Sequence, residues 1–316
     1  MPPNVRCSAS LSESGVAMTA GPAAAGMVRR PAGKVAQLSP GLRLVAGSMR
    51  WLDRTAPRLT TRIMLHHFTH PRRSARADSR TVLPEDPERI ELCHRGYRLH
   101  AWRCGPSDRR VLLVHGWEDH SGSLQPLARR LLDQGLGVVA LDAPGHGHSA
   151  RTDTDLLDTA RALALLLKQH GPVHGLVAHS WGAAASLLML ERHPKYLPER
   201  IALVAPMRGI EQHLGIFAGI AGLCRPRLER LSRKVEERLG TPLDSLCAVK
   251  AAASLAGSAL VVHDAEDPLI PHAGSCELVE RWAGADLMTT RELGHRRILR
   301  NPLVQERVVA HLEDRQ

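Results

Sequence analysis

Aromatic side chains are scarce in this chain, where Phe, Trp and Tyr together make up 3% of 316 residues. Any core must therefore be assembled from Leu, Val, Ile and Ala. Long apolar runs are missing as well. No stretch approaches the roughly 20 residues that cross a bilayer as a helix. Residues 1–37 hold no continuous apolar segment behind a basic start, so neither a membrane span nor a secretory signal is expected. The six cysteines, Cys7, Cys93, Cys104, Cys224, Cys247 and Cys276, lack C-x-x-C spacing. This argues against a disulfide framework and fits reduced thiols in a cytoplasmic protein. There is no H-E-x-x-H pair. His115, His120, His146 and His148 fall near one predicted sheet edge, but His115 precedes a glycine and His146 lies between Gly145 and Gly147. They read as residues of turning loops, and neither a metal site nor a cofactor is expected.

Charge is present but unevenly placed. The net charge is +10, yet residues 1–110 hold 19 Lys and Arg against 8 Asp and Glu, while residues 111–316 hold 23 against 24. The basic excess thus belongs to the N-terminal third, and a nucleic-acid partner is not expected. Residues 1–37 read as a disordered tail, and residues 38–87 as a basic helical extension with a linker. In that extension Leu42, Val45, Met49, Leu52, Leu59, Ile63 and Met64 recur at near-helical spacing, and Pro57 should divide the pattern into two helices. Arg43, Arg50, Arg54, Arg58 and Arg62 fall largely between the apolar positions. Such a basic face suits peripheral contact with a membrane surface or another anionic partner. An arm packed on the following domain accounts for the same pattern and is the preferred reading.

From residue 88 onward, strand and helix patterns alternate. RIELCHR and YRLHAWR form a predicted hairpin with Gly96 at its turn. VLLVH, GVVAL, GLVAH, IALVA and ALVVH are apolar runs of five, each followed by a helical pattern. Runs of this kind point to an α/β fold with a buried parallel sheet and helices on both faces. Between the last two lie about fifty residues, far more than an ordinary connection. In that stretch Leu228, Leu231, Val235 and Leu239 make one apolar stripe.

The most specific local signal is GLVAHSWGAAAS, residues 175–186, which places Ser180 on a tight turn between an apolar strand and a helix opened by small residues. A sharp strand-to-helix turn strains the backbone and pushes the intervening side chain into the open. Ala178 stands where the G-x-S-x-G pattern has its first glycine. A serine nucleophile needs a general base, and that base needs an acid to hold its tautomer. Both are on offer downstream. SALVVHDAEDPLIP, residues 258–271, ends a strand in a loop carrying Asp264, Glu266 and Asp267; RELGHRRIL, residues 291–299, brings His295 after Gly294. On the residues alone, Asp264 and Asp267 both stand as the acid.

Over residues 88 to 315 the chain resembles the serine hydrolases of the α/β-hydrolase fold. The serine, acid, histidine order is theirs. VLLVHGW (111–117) resembles their third strand and oxyanion loop, and LDAPGHGHS (141–149) the turn after their fourth strand. The resemblance implies a mostly parallel, eight-stranded type of sheet with helices on both faces, in a domain spanning residues 88–316. It implies a small helical cap inserted at about residues 206–252. It makes Ser180 the nucleophile, Asp267 the acid and His295 the base, with the backbone amides of Trp117 and Trp181 as the oxyanion hole. The implied activity is cleavage of an acyl bond through an acyl-enzyme, with a carboxylic ester bearing an apolar acyl group as the leading substrate. Thioester or amide cleavage, acyl transfer, and a non-catalytic ligand pocket on the same fold remain alternatives. Oligomeric state is not legible.

Overall fold

A computed structural model describes residues 47–48, 51–52, 54–72, 83–84, 86–150 and 153–313. The tail reading over 1–37 and most of the linker reading lie outside them. Residues 51, 52, 54 and 55 are helical, and a separate helix, α1 (Pro57–Thr69), begins at Pro57. Proline suits the first helical turn because its missing N–H would have no intrahelical acceptor there. The division expected at Pro57 is therefore present.

Strands β1 (Glu88–His94) and β2 (Tyr97–Cys104) pair antiparallel through a two-residue turn, Arg95–Gly96, with φ of 53° and 82°. Two successive positive φ values match the right-handed twist of the flanking strands, which is why glycine serves here. Then follow β3 (Arg110–Val114), α2 (Gln125–Asp133), β4 (Gly137–Leu141), α3 (Leu156–His170), β5 (Gly175–His179), α4 (Trp181–Arg192) and β6 (Arg200–Val204). Three helices, α5 (Ile210–Ala221), α6 (Arg225–Leu239) and α7 (Ala248–Ala252), intervene before β7 (Ser258–Asp264). The chain closes with α8 (Ala273–Arg281), β8 (Ala285–Thr290), the single turn α9 (Gly294–Arg297) and α10 (Pro302–Glu313).

The strands form one eight-stranded sheet in the order β1-β2-β4-β3-β5-β6-β7-β8. Pairings from β4 through β8 are parallel, and β2 joins β4 antiparallel. Alternation along each strand sends side chains to two separate cores. Leu112 and Val114 of β3 enter a core with α3, α4, α7 and α8, whereas Val111 and Leu113 enter one with α2 and α10. Helices cover both faces, as parallel strands require. The Leu, Val, Ile and Ala core expected from the shortage of aromatics is what fills both layers.

α1 is built into this body. Met64 and Phe68 are buried in the first core, α1 packs against α6, and Phe68 meets the rings of His213 and Phe217 on α5. The opposite side of α1 exposes Arg58, Leu59, Arg62 and His66. In α6, Leu231 and Val235 are fully buried while Leu228 and Leu239 pack at the margin, so the stripe read from the sequence is the buried face. Among the described residues no helix is long and apolar enough to cross a membrane.

Candidate active site

β3, β5, β7 and β8 end at one edge of the sheet, and the segments that leave them bring Trp117, Ser180, Asp267 and His295 into one neighbourhood. Ser180 follows β5 directly and carries φ 52° and ψ −113°, a conformation that costs a non-glycine residue energy. Its neighbours hold it there. The Ser180 amide donates to the Val204 carbonyl at 3.0 Å, and its own carbonyl accepts from Ala183 and Met207 at 3.1 and 3.3 Å. The small residues around it are required by contact. A Cβ on Gly182 would fall inside contact distance of the His115 carbonyl and 2.8 Å from that of Val114, so only glycine lets α4 start this close to β3. A Cβ on Gly116 would lie 2.9 Å from His179 Nδ1 and 3.4 Å from the Ser180 Cβ. The loop bearing Trp117 therefore rests directly on the serine turn. Ala178, the departure from glycine, is fully buried in β5 with no such demand on it.

His295 Nε2 lies 2.9 Å from Ser180 Oγ, and its Nδ1 lies 2.7 Å from Asp267 Oδ2. Because Asp267 can only accept, Nδ1 carries the proton and Nε2 is left to accept from the serine hydroxyl. Gly294, at φ 62°, makes the turn that delivers the histidine. The structure thus brings together Ser180, His295 and Asp267 in one hydrogen-bonded chain. Ser180 is 6% and His295 9% exposed, so the chain is largely shielded from water.

The two candidate acids are separated by their partners. Asp267 Oδ1 accepts from the Leu269 and Ile270 amides at 2.7 and 3.0 Å, and Oδ2 faces His295 and, at 3.3 Å, His263 Nε2. Burial alone would raise its pKa, but the donors from His263, His295 and Ile270 outweigh it and hold the carboxyl well below the usual carboxylate range. Asp264 is committed elsewhere. Its Oδ2 takes Thr290 Oγ1 and the Leu293 amide at 2.8 and 3.0 Å, its Oδ1 the Glu266 amide, so it ties β7 to the loop before His295.

Two residues were not singled out in the sequence. His179 Nε2 donates to the His295 carbonyl at 2.9 Å, and burial followed by the proximity of His295 lowers its pKa to about 3, so it stays neutral. His263 accepts at Nδ1 from Ser275 Oγ at 2.6 Å and presents Nε2–H to the Ile270 carbonyl and Asp267. The available signals were position: one precedes the serine, the other is the penultimate residue of β7, four residues before the acid.

Trp117 and Trp181 flank the serine on its loop side and helix side. Trp181 is the first residue of α4, where backbone amides have no intrahelical acceptor. The two indoles lie 4.7 Å apart between centroids, and the Trp181 indole N–H donates to Thr159 Oγ1 at 3.2 Å. Glu118, next along, has φ 54° and accepts from the Arg72 amide at 3.1 Å, which ties the end of the N-terminal arm to the Trp117 loop. The other histidines near this edge are engaged in loop structure. His115 Nδ1 donates to the Gly116 carbonyl and Nε2 accepts from the Ala143 amide, while His148 contacts Asp142. Among the described residues, no group of three or more His, Cys, Asp or Glu is arranged to hold a metal ion.

With this geometry in hand, resemblance to known proteins is informative. Residues 105–250 match the Hydrolase_4 family, described as serine aminopeptidase, S33. A monoacylglycerol lipase of Mycolicibacterium smegmatis is 27% identical over 217 residues, covering 56% of this chain and 76% of that protein. Lysophospholipase L2 of Escherichia coli is 32% identical over 126 residues, which span 36% of this chain and only 37% of that protein. Among solved structures, a Pyrococcus furiosus esterase superposes with TM-score 0.60 at 19% identity, covering 77% of this chain and 98% of its own.

Proposed function

We propose that this chain is a hydrolase of the α/β-hydrolase superfamily, of its esterase and lipase type, as its resemblances support, and that it cleaves carboxylic esters through Ser180, His295 and Asp267. The observation that carries the reading is the continuous hydrogen-bonded chain from Ser180 Oγ through His295 to Asp267. Ser180 Oγ attacks the acyl carbon while His295 Nε2 takes its proton, and Asp267 stabilises the imidazolium that results. The tetrahedral oxyanion sits between the backbone amides of Trp117 and Trp181, where each donor is worth about 10² to 10³ in rate. Collapse expels the alkoxide, which takes the proton from His295. Water then adds to the acyl-enzyme with His295 again as base, and the acid leaves as Ser180 regains its proton.

His179 and His263 act as positioning residues, one through the His295 backbone and the other through the Asp267 carboxylate. The rings of Trp117 and Trp181 favour an apolar acyl group of modest size. α5 and α6 leave the carboxyl edge of the sheet, where ligands bind in open α/β sheets, and act as a lid over the site. The test is turnover of p-nitrophenyl butyrate by the purified protein. Wild type should hydrolyse it and Ser180→Ala should not; equal rates from the two would remove the proposal.

A further inference from the structure

The first turn of α5 places one polar ring in the aromatic cluster beside the serine. His213 has its ring centroid 5.2 Å from that of Trp117, 5.1 Å from Trp181 and 5.2 Å from Phe68 of the arm. Among the described residues its ring nitrogens make no hydrogen bond. Burial alone lowers its pKa to about 4, so it is a neutral imidazole with one donor and one acceptor. An imidazole enclosed by apolar rings without a polar partner is costly, and pure packing would be served better by Phe or Leu. The residue retains some solvent access, so the cluster opens at this ring. The Trp181 indole N–H is already committed to Thr159.

We propose that His213 is a specificity residue that pairs with a free hydroxyl on the substrate, so that the preferred ester keeps an unesterified hydroxyl close to the scissile bond. A hydroxyl both donates and accepts, which matches a neutral imidazole. A charged group does not, because no Lys or Arg belongs to the cluster of Phe68, Trp117, Trp181 and His213. Phe68 backs the ring from the arm. Phe68 lies on α1, ahead of the first strand of the sheet.

The inference rests on the esterase reading, and the experiment keeps the two apart. The paired substrates are 2-hydroxyethyl butyrate and propyl butyrate, which differ by a hydroxyl in place of a methyl group. The ratio of their kcat/KM values should fall about tenfold in His213→Phe, mostly through the hydroxylated ester, and should be largely restored in His213→Gln. An unchanged ratio in an active His213→Phe, or an equal loss on both esters, overturns the role of His213. Should wild type turn over neither ester, the esterase reading itself falls, and the proposal with it. A second measurement leaves His213 intact. In Ser180→Ala protein, N-(2-hydroxyethyl)butyramide should shift the His213 imidazole nitrogen resonances and N-propylbutyramide should not; identical shifts contradict the proposal.

Discussion

Gly182→Ala adds one methyl group where α4 touches β3, and its consequences can be worked from contacts. The new Cβ would be 2.8 Å from the Val114 carbonyl oxygen and closer still to that of His115. Ordinary contact begins near 3.4 Å, so relieving the nearer contact, with the His115 carbonyl, requires α4 and the strand end to separate by about 1 Å. Both obstacles are backbone atoms, and no rotamer change relieves them. Overpacking of this kind costs about 1 to 3 kcal/mol, against a gain of up to about 1 kcal/mol for alanine over glycine in a helix. The net loss is on the order of 1 to 2 kcal/mol, or a few degrees in Tm for a domain of this size. Function should suffer more. The displaced segment runs from His115 to Trp117, whose amide is assigned to the oxyanion, and misplacement of a reacting geometry by about 1 Å costs about 10²-fold. The assay is kcat on p-nitrophenyl butyrate alongside thermal unfolding. Gly215→Ala, on α5 with nothing within 4 Å of its added Cβ, is the control and should be neutral or slightly stabilising. A Gly182→Ala enzyme with wild-type kcat and Tm would refute the close-approach argument.

The acid assignment makes a second prediction. Asp267→Asn removes the acceptor that fixes the His295 tautomer and should lower kcat by on the order of 10³ to 10⁴. Asp264→Asn loosens the tie to Thr290 and Leu293 and should cost mainly stability, about 1 to 3 kcal/mol, with a much smaller change in kcat. The reverse order of kcat losses would reassign the acid. A third prediction concerns acid lability. Buried Asp142 receives the Ser121 and His148 amides and the His148 ring, which outweigh desolvation and lower its pKa from 3.8 to about 2. Because the folded value is depressed, this stabilisation is complete above about pH 4 and is lost as pH falls toward 2. It amounts to roughly 2 kcal/mol. Urea unfolding across that window should show a shallower fall in Asp142→Asn; an identical slope would contradict it.

The sequence carried the parallel strands because strands buried on both faces read as unbroken apolar runs, as in GLVAH and ALVVH. β8 carries no such run. It lies at the sheet edge with every residue at least partly exposed, and ADLMTT has no pattern that separates it from a loop. Ser180 and Gly294 announced themselves through backbone demands that few residues meet. His179 and His263 did not, since their roles depend on contacts with His295 and Asp267 that only folding creates. The helix that begins at Pro57 has a periodicity the sequence shows, but which rings Phe68 would meet is a matter of tertiary packing that periodicity does not encode.

The central claim is that Ser180 is an activated nucleophile, and covalent labelling addresses it without knowledge of the substrate. Folded wild-type protein treated with a fluorophosphonate should gain one adduct, located by peptide mass spectrometry on Ser180, and labelling should be lost in Ser180→Ala and strongly slowed in His295→Ala. Folded wild-type protein that remains unlabelled, or that is labelled at another residue, would contradict the account.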